Sequence, residues 1–429
     1  MGFIVGDMIT IIDKTNLPHL WRFLIKLAMI YQNGSRKNLA MQVYLVGGAV
    51  RDALLDLPVF DKDFVVVGAD FKEMQSLGFT QVGTDFPVFL HPTSHHEYAL
   101  ARIERKNGTG YQGFATETKG VTLADDLLRR DLTINALAME VNGLFDDTPK
   151  TGEVIDYYGG IDDLKNKTLR HISPAFCEDP LRILRTVRFL ARYANKGFKI
   201  ANETIALMQT MAKAGELSHL SRERLWTESV KAMENGTGHY YWQALKELDI
   251  LPYFLPELDS CWQDDTAFNK TIADLKTAQK CPVAVQFAIL CSGYLNDENQ
   301  SQTLIKQIAN QLNAPKYPVQ IANLLTEFDA IFDHKPDAGK MLRLLEKTKA
   351  HQGNLQTLHD ILTAIFVVNS NTTIDKNTAD ALLDKAILIY KNTNINNINQ
   401  NLTGKEIGLA LNQLRIQKIQ KLIDDTFGA

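Results

Sequence analysis

Short runs with strand character crowd into the stretch from Met41 to about Asp147, and after about Ile161 they nearly vanish. Val43-Tyr44-Leu45-Val46, Phe64-Val65-Val66-Val67, Val88-Phe89-Leu90 and Tyr98-Ala99-Leu100 have strand length and strand composition. Beyond them apolar residues recur at helical spacing, as in Leu181-Leu184-Phe189, Ile205-Leu207-Met208-Met211 and Leu225-Val230-Met233. Strands gathered at one end and helices at the other predict an α+β domain followed by all-α domains. A chain of 429 residues, 45% apolar, has material for two or three cores.

The expected borders follow. Residues 1–40 read as an extension without a catalytic role: their apolar patch, Leu20 to Ile30, is interrupted by Arg22 and Lys26 and is too short to span a bilayer. It also lacks the basic start and small-residue cleavage site of a secretory signal. Residues 41–147 form the head, 148–258 a helical neck, and 259–429 a helical body and tail. The second border rests on the breaks Leu251-Pro252 and Leu255-Pro256 and on the poorly patterned stretch from Ser260 to Lys280. Asn392 to Asn401 reads as a solvated loop, after which Thr403-Gly404-Lys405-Glu406 has capping-box form and starts a last helix through Leu409, Leu411 and Leu414. Four cysteines with no CxxC pair fit a reducing cytoplasm and argue against disulfides or zinc. The net charge of -4 requires any RNA-binding surface to be local.

Two local patterns carry chemistry. Leu45-Val46-Gly47-Gly48-Ala49-Val50-Arg51-Asp52 reads as a strand, a Gly-Gly turn and a helix start, which brings backbone N–H groups near an anion, and Arg51 can fork onto phosphate oxygens. Alone it is an ordinary corner. About ten residues on, Asp61-Lys62-Asp63 runs directly into Phe64-Val65-Val66-Val67. Residues two apart on a strand share a face, so these carboxylates converge and either sit in water at the strand end or hold a divalent cation. Behind a phosphate-cradling turn they have the layout for metal-assisted phosphoryl transfer.

Gly47-Gly48-x-Val50-Arg51-Asp52 with Asp61-x-Asp63 resembles the head signature of the nucleotidyltransferase family that includes bacterial CCA-adding enzymes and poly(A) polymerases. Phe86 to Pro92, Glu97 to Arg102 and Gly110-Tyr111-x-Gly113-Phe114 resemble the CCA-adding branch, where the stretch around Arg105 to Gly113 is a mobile loop. Arg129-Arg130-Asp131-Leu132-Thr133-Ile134-Asn135-Ala136-Leu137-Ala138 is similar to the family's second motif and has helix-like spacing; Asp156 to Leu164 resembles its hinge. Glu178-Asp179-Pro180-Leu181-Arg182 resembles its neck motif, with Asp179 and Pro180 placed as N-cap and first helical residue. Arg182, Arg185, Arg188 and Arg192 then fall within roughly a 120° arc of one helix face, a crowding of like charge that calls for an anion opposite. Glu223-Arg224-Leu225-Trp226-Thr227-Glu228 is similar to the remaining neck motif, its Arg224 and Glu228 at helical i,i+4 spacing.

The resemblance implies a polymerase-β-like head that holds Mg²⁺ on Asp61 and Asp63, with Gly48, Arg51, Arg130, Arg185 and Arg188 on the nucleotide. It implies that Asp179 and Arg182 read the base edge, because cytosine and adenine share an amino donor beside a ring-nitrogen acceptor. The implied activity is addition and repair of the 3′-terminal CCA of tRNA from CTP and ATP in the cytoplasm, with the tail holding the tRNA. The alternatives are a poly(A) polymerase or A-adding enzyme of the same fold and, in another class, a catalytically silent RNA-binding protein. Glu97 is open as a third carboxylate. Where proteobacterial relatives carry a His-Asp phosphohydrolase dipeptide this chain has Ser292-Gly293, and its lone His359-Asp360 has no partner histidines, so no phosphohydrolase activity is expected.

Overall fold

The computed structural model describes residues 41–82, 88–106, 114–292, 298–369, 372–397, 402 and 404–428. The expected extension 1–40, residues 107–113 of the expected mobile loop, Gly293 and the proposed cap Thr403 lie outside the described residues.

Among the described residues of the head the strands are β1 (Gln42–Val46), β2 (Asp63–Val67), β3 (Thr80–Val82), β4 (Val88–Leu90), β5 (Glu97–Leu100), β6 (Ile103–Lys106), β7 (Phe114–Glu117), β8 (Leu137–Gly143) and β9 (Asp146–Asp156). Seven of them make one mixed sheet in the order β3-β4-β5-β2-β1-β8-β9, with β2 and β5 parallel and the other neighbours antiparallel. Strand alternation sends Val43, Phe64 and Val66 into the core on one face and Tyr44, Val65 and Val67 into the core on the other. Both faces of the central strands are therefore buried, which accounts for their continuous apolar runs.

The helices of this region are α1 (Gly48–Leu54), α2 (Phe71–Ser76), α3 (Leu123–Leu128) and α4 (Gly160–Lys165). Strand β9 belongs to the same sheet, so the head extends past the border expected at Asp147, and the Leu144 to Gly152 stretch is largely a hairpin strand. The Arg129 to Ala138 run is not a helix. α3 ends at Leu128, a single 3₁₀ turn covers Thr133–Asn135, and β8 starts at Leu137. Pairing of β8 with both β1 and β9 takes the backbone hydrogen bonds that a helix would need, and it puts Ala136 and Ala138 on one side and Leu137 on the other.

Among the described residues thirteen further helices follow: α5 (Leu181–Arg192), α6 (Asn202–Lys213), α7 (Arg222–Glu234), α8 (Gly238–Glu247), α9 (Pro256–Cys261), α10 (Asp265–Thr277), α11 (Val283–Leu290), α12 (Glu298–Leu312), α13 (Lys316–Phe328), α14 (Ala338–Thr348), α15 (Leu355–Val368), α16 (Lys376–Asn392) and α17 (Lys405–Phe427). The poorly patterned stretch after Ser260 holds α10, capped by the Asp264 side chain on Thr266 N. One continuous apolar core runs from Val50 and Leu137 of the head through Leu184, Trp242 and Trp262 to Ile423. The border expected at residue 258 thus falls inside α9 and inside this core. No helix among the described residues is long and apolar enough to cross a membrane.

Candidate active site

β1 ends at Val46 because Gly47 turns the chain with φ 66°, a left-handed value that favours glycine, while its N–H donates to Leu137 O at 3.0 Å. A Cβ on Gly47 would also lie 2.8 Å from a terminal nitrogen of Arg130, so the turn is tight against that guanidinium. Since β1 stops there, β2 has a partner only from Asp63, which pairs with Val46 on one side and Glu97 on the other. Asp61 therefore precedes the strand and does not share its pleat, contrary to the sequence reading.

Asp63 faces a cleft of about 450 Å³ between head and neck, and Asp61 does not line it. Desolvation raises the Asp63 pKa and the neighbouring Asp61 charge raises it further, against the opposing pull of Arg130 and His96. Glu97 stands beside Asp63 in register and lines a recess of about 160 Å³ with Asp63, Arg102, Arg129 and Arg130. Among the described residues no three His, Cys, Asp or Glu side chains form a closed metal cage. An open pair of oxygen donors suits Mg²⁺, which takes one or two carboxylates and completes its shell with water and substrate phosphates.

Gly48, Arg51, Arg130, Asp179, Arg182, Arg185 and Arg188 all line the same cleft, along with Arg102, Arg129, Arg192, Arg224, Asp131, Asn135 and Glu178. The arginine wall is held in place by the protein itself. Asp126, fully buried at the end of α3, accepts from Arg129 at 2.7 Å and from Arg130 at 3.3 Å. Arg51 is buried; its Nε donates to Asp52 at 2.8 Å, it bonds Asn135, and it lies 4.9 Å over the Phe189 ring. Its guanidinium thus braces head against neck as well as facing the cleft.

On α5 three of the four arginines meet anions of this chain. Arg185 Nε donates to Asp131 at 2.8 Å, Arg188 Nε to Glu228 at 2.5 Å, and Arg192 donates to Asp52 at 3.0 Å. Arg182 differs: its two terminal nitrogens donate to the backbone oxygens of Ala175 and Arg129, each at 2.6 Å. Burial alone would raise the Asp131 pKa, but the Arg185 charge and hydrogen bonds from Asn135 and Arg185 hold it well below the usual carboxylate range. Asp131 in turn raises Arg185.

α5 starts one residue later than expected, so Asp179 is not its N-cap. Pro180 is the boundary residue, Leu181 opens the helix, and Leu181 N donates to Asp179 Oδ1 at 3.1 Å. The other oxygen, Oδ2, accepts from Arg224 at 2.8 Å. Arg224 therefore reaches across to Asp179, and Glu228, its i,i+4 neighbour, reaches Arg188 instead. Asp52, Glu228 and Arg224 were missed as site residues because their partners lie 140, 40 and 45 positions away. Asp131 and Asn135 had a signal, their i,i+4 spacing in a quoted motif, and they bond each other at 2.9 Å. His359 is exposed and Asp360 is buried against Tyr317, whose hydroxyl donates to it at 2.7 Å.

Residues 43–170 match the family model described as poly A polymerase head domain, and residues 197–261 match the one described as probable RNA and SrmB- binding site of polymerase A. Among solved structures, the chain is similar to a Bacillus stearothermophilus CCA-adding enzyme in complex with CTP, at 20% identity and TM-score 0.64 over 95% of this chain and 94% of that one. A Thermotoga maritima CCA-adding enzyme complexed with tRNA matches at 20% identity and TM-score 0.55 over 96% of both chains. A CCA-adding enzyme in an apo form matches at 22% identity and TM-score 0.58, again over 96% of both. At these identities the likeness establishes the fold, an α+β nucleotidyltransferase head followed by a helical remainder.

Proposed function

We propose that this chain, whose residues match models of a poly A polymerase head domain and a probable RNA-binding site of polymerase A, adds and repairs the 3′-terminal CCA of tRNA with CTP and ATP, in the cytoplasm. The observation that carries the reading is the cleft itself: Asp63 on the head faces arginines from both head and neck in one space large enough for a nucleoside triphosphate. Solved structures similar to it in fold include CCA-adding enzymes bound to CTP and to tRNA.

Asp61 and Asp63 are the residues that would hold Mg²⁺. When bound, the ion lowers the pKa of the attacking 3′-hydroxyl and neutralises triphosphate charge. The chain's own residues do the rest. Backbone at Gly48 and the guanidinium groups of Arg51 and Arg130 hold the triphosphate, and Arg185 and Arg188 fix the nucleotide from the neck. Transfer forms a bond between the tRNA 3′-oxygen and the α-phosphorus, breaks the α–β phosphoanhydride bond and releases pyrophosphate. Asp179 and Arg182 read the base. In the present geometry each is bonded to the protein: base reading exchanges the backbone contacts of Arg182 for the base edge, while Arg224 keeps hold of Asp179.

The test is transfer of label from α-labelled CTP to a tRNA lacking CCA, with and without Mg²⁺. The reading predicts label only with the metal and only while Asp63 is intact. Equal transfer by Asp63→Ala would reject it.

A further inference from the structure

We infer, on the reading of the cleft as a nucleotide site, that Asn135 is a positioning residue tying Arg51 of the head to Arg185 of the neck, so that the two guanidinium groups take hold of a nucleotide as one unit. Asn135 closes the 3₁₀ turn Thr133–Asn135, is buried, and lines the cleft together with both arginines. Its Oδ1 accepts from Arg51, and its Nδ2 donates to Asp131 Oδ1 at 2.9 Å. Asp131 Oδ2 accepts in turn from Arg185 Nε at 2.8 Å. On the far side of Arg51, Asp52 accepts from Arg51 Nε at 2.8 Å, from Arg192 at 3.0 Å and from the Tyr193 hydroxyl at 3.2 Å. Arg185 and Arg192 stand two turns apart on α5, so these bonds close a ring that leaves the neck at Arg185, crosses the head through Asp131, Asn135, Arg51 and Asp52, and returns at Arg192.

Charge explains why an amide stands at position 135. The side chain there meets a carboxylate on one side and a guanidinium on the other. An ionised carboxylate in its place would have no donor for Asp131 and would repel it, and a cation would repel Arg51. An amide offers a donor and an acceptor at once, and these neighbours leave it one orientation, because turning it over would set its NH₂ against the guanidinium and its oxygen against the carboxylate. The backbone is held as well: Asn135 N–H donates to Leu132 O at 2.9 Å, and its C=O accepts from Arg130 at 3.4 Å. Asn135 thus has both its head-side and its neck-side bonds made before a nucleotide arrives. A displacement of Arg51 by a phosphate is passed through the amide to Asp131 and Arg185, in a site where little water competes for the bonds.

The experiment is a double-mutant cycle on CTP binding, read by calorimetry on the full chain with Mg²⁺ and without RNA. Arg51→Lys and Arg185→Lys keep the charge and lose the fork; they are measured singly and together, in the wild type and in Asn135→Asp. Asn135→Asp keeps the shape and the acceptor for Arg51 and removes the donor to Asp131. Asn135→Ala removes both and repeats the cycle, with melting temperatures as the check on folding. In the wild type the joint loss of affinity is expected to depart from the product of the single losses by about fivefold or more, and in either Asn135 variant the losses multiply to within about twofold. Losses that already multiply in the wild type would overturn the inference. So would a departure of unchanged size once Asn135 is replaced, the result expected of a side chain that only supports the fold or only touches the nucleotide. A wild type that binds CTP with this coupling and transfers no CMP to tRNA would fail the enzyme reading and leave the tie standing, whereas one that binds no nucleoside triphosphate would overturn both.

Discussion

Glu228 on α7 accepts a 2.5 Å hydrogen bond from Nε of Arg188 on α5, and both side chains are buried. An arginine that faces the cleft is thus aimed by a carboxylate that does not line it. Removing that carboxylate leaves a buried guanidinium unpaired, so Glu228→Ala should lose about 3–5 kcal/mol of stability. Glu228→Gln keeps a hydrogen-bond acceptor and should fold, with a raised KM for CTP and ATP. Denaturant unfolding and nucleotide titration together check this; an unaltered KM in Glu228→Gln would separate Arg188 from the nucleotide.

Asp131 gives a pH dependence. Its pKa in the folded state is depressed, so it contributes stability above the unfolded aspartate value of about 3.9 and loses that contribution as pH falls through the lower folded value. Asp131→Asn should therefore be less stable than wild type by about 2–3 kcal/mol at pH 7, the lower side for a buried pair because Arg185 partly reaches water. The gap should hold down to about pH 4 and close only in stronger acid. A gap that closes between pH 7 and 5 would assign it to another group.

Gly47 is constrained twice, by its positive φ and by Arg130. Gly47→Ala should cost about 1–2 kcal/mol in strain and push Arg130 aside, which raises the KM for triphosphates more than it lowers melting temperature. A variant with wild-type KM would show that Arg130 does not need this turn.

Arg224 holds Oδ2 of Asp179. If that bond aims the carboxylate for base reading, Arg224→Ala should raise use of UTP relative to CTP by about tenfold, equivalent to about 1.4 kcal/mol of lost discrimination. Competition between the two nucleotides on one tRNA reads the ratio, and an unchanged ratio contradicts the role.

The sequence carried the head well because its signals are local. Continuous apolar runs mark β2 and its neighbours, and Gly47-Gly48 marks the turn that ends β1. It misread the Arg129 to Ala138 run because Ile134, Leu137 and Ala138 fit helical spacing, while the competing term, pairing of β8 with β1 more than ninety residues earlier, leaves no local trace. The arginine stripe on α5 was legible and its opposing anions were anticipated, but not that Asp52, Asp131 and Glu228 of this chain supply them. Ion pairs of that separation are properties of the folded chain. Asp61 failed as a strand residue for a similar reason: the strand begins where β1 can pair with it, at Asp63.

The central claim is tested most directly by sequencing what the protein adds to a tRNA that ends before CCA, with Mg²⁺ and with CTP and ATP supplied separately and together. The account predicts two C residues with CTP alone, CCA with both, and no addition by Asp61→Ala or Asp63→Ala. A homopolymeric A tail, or full CCA addition by either variant, would contradict it.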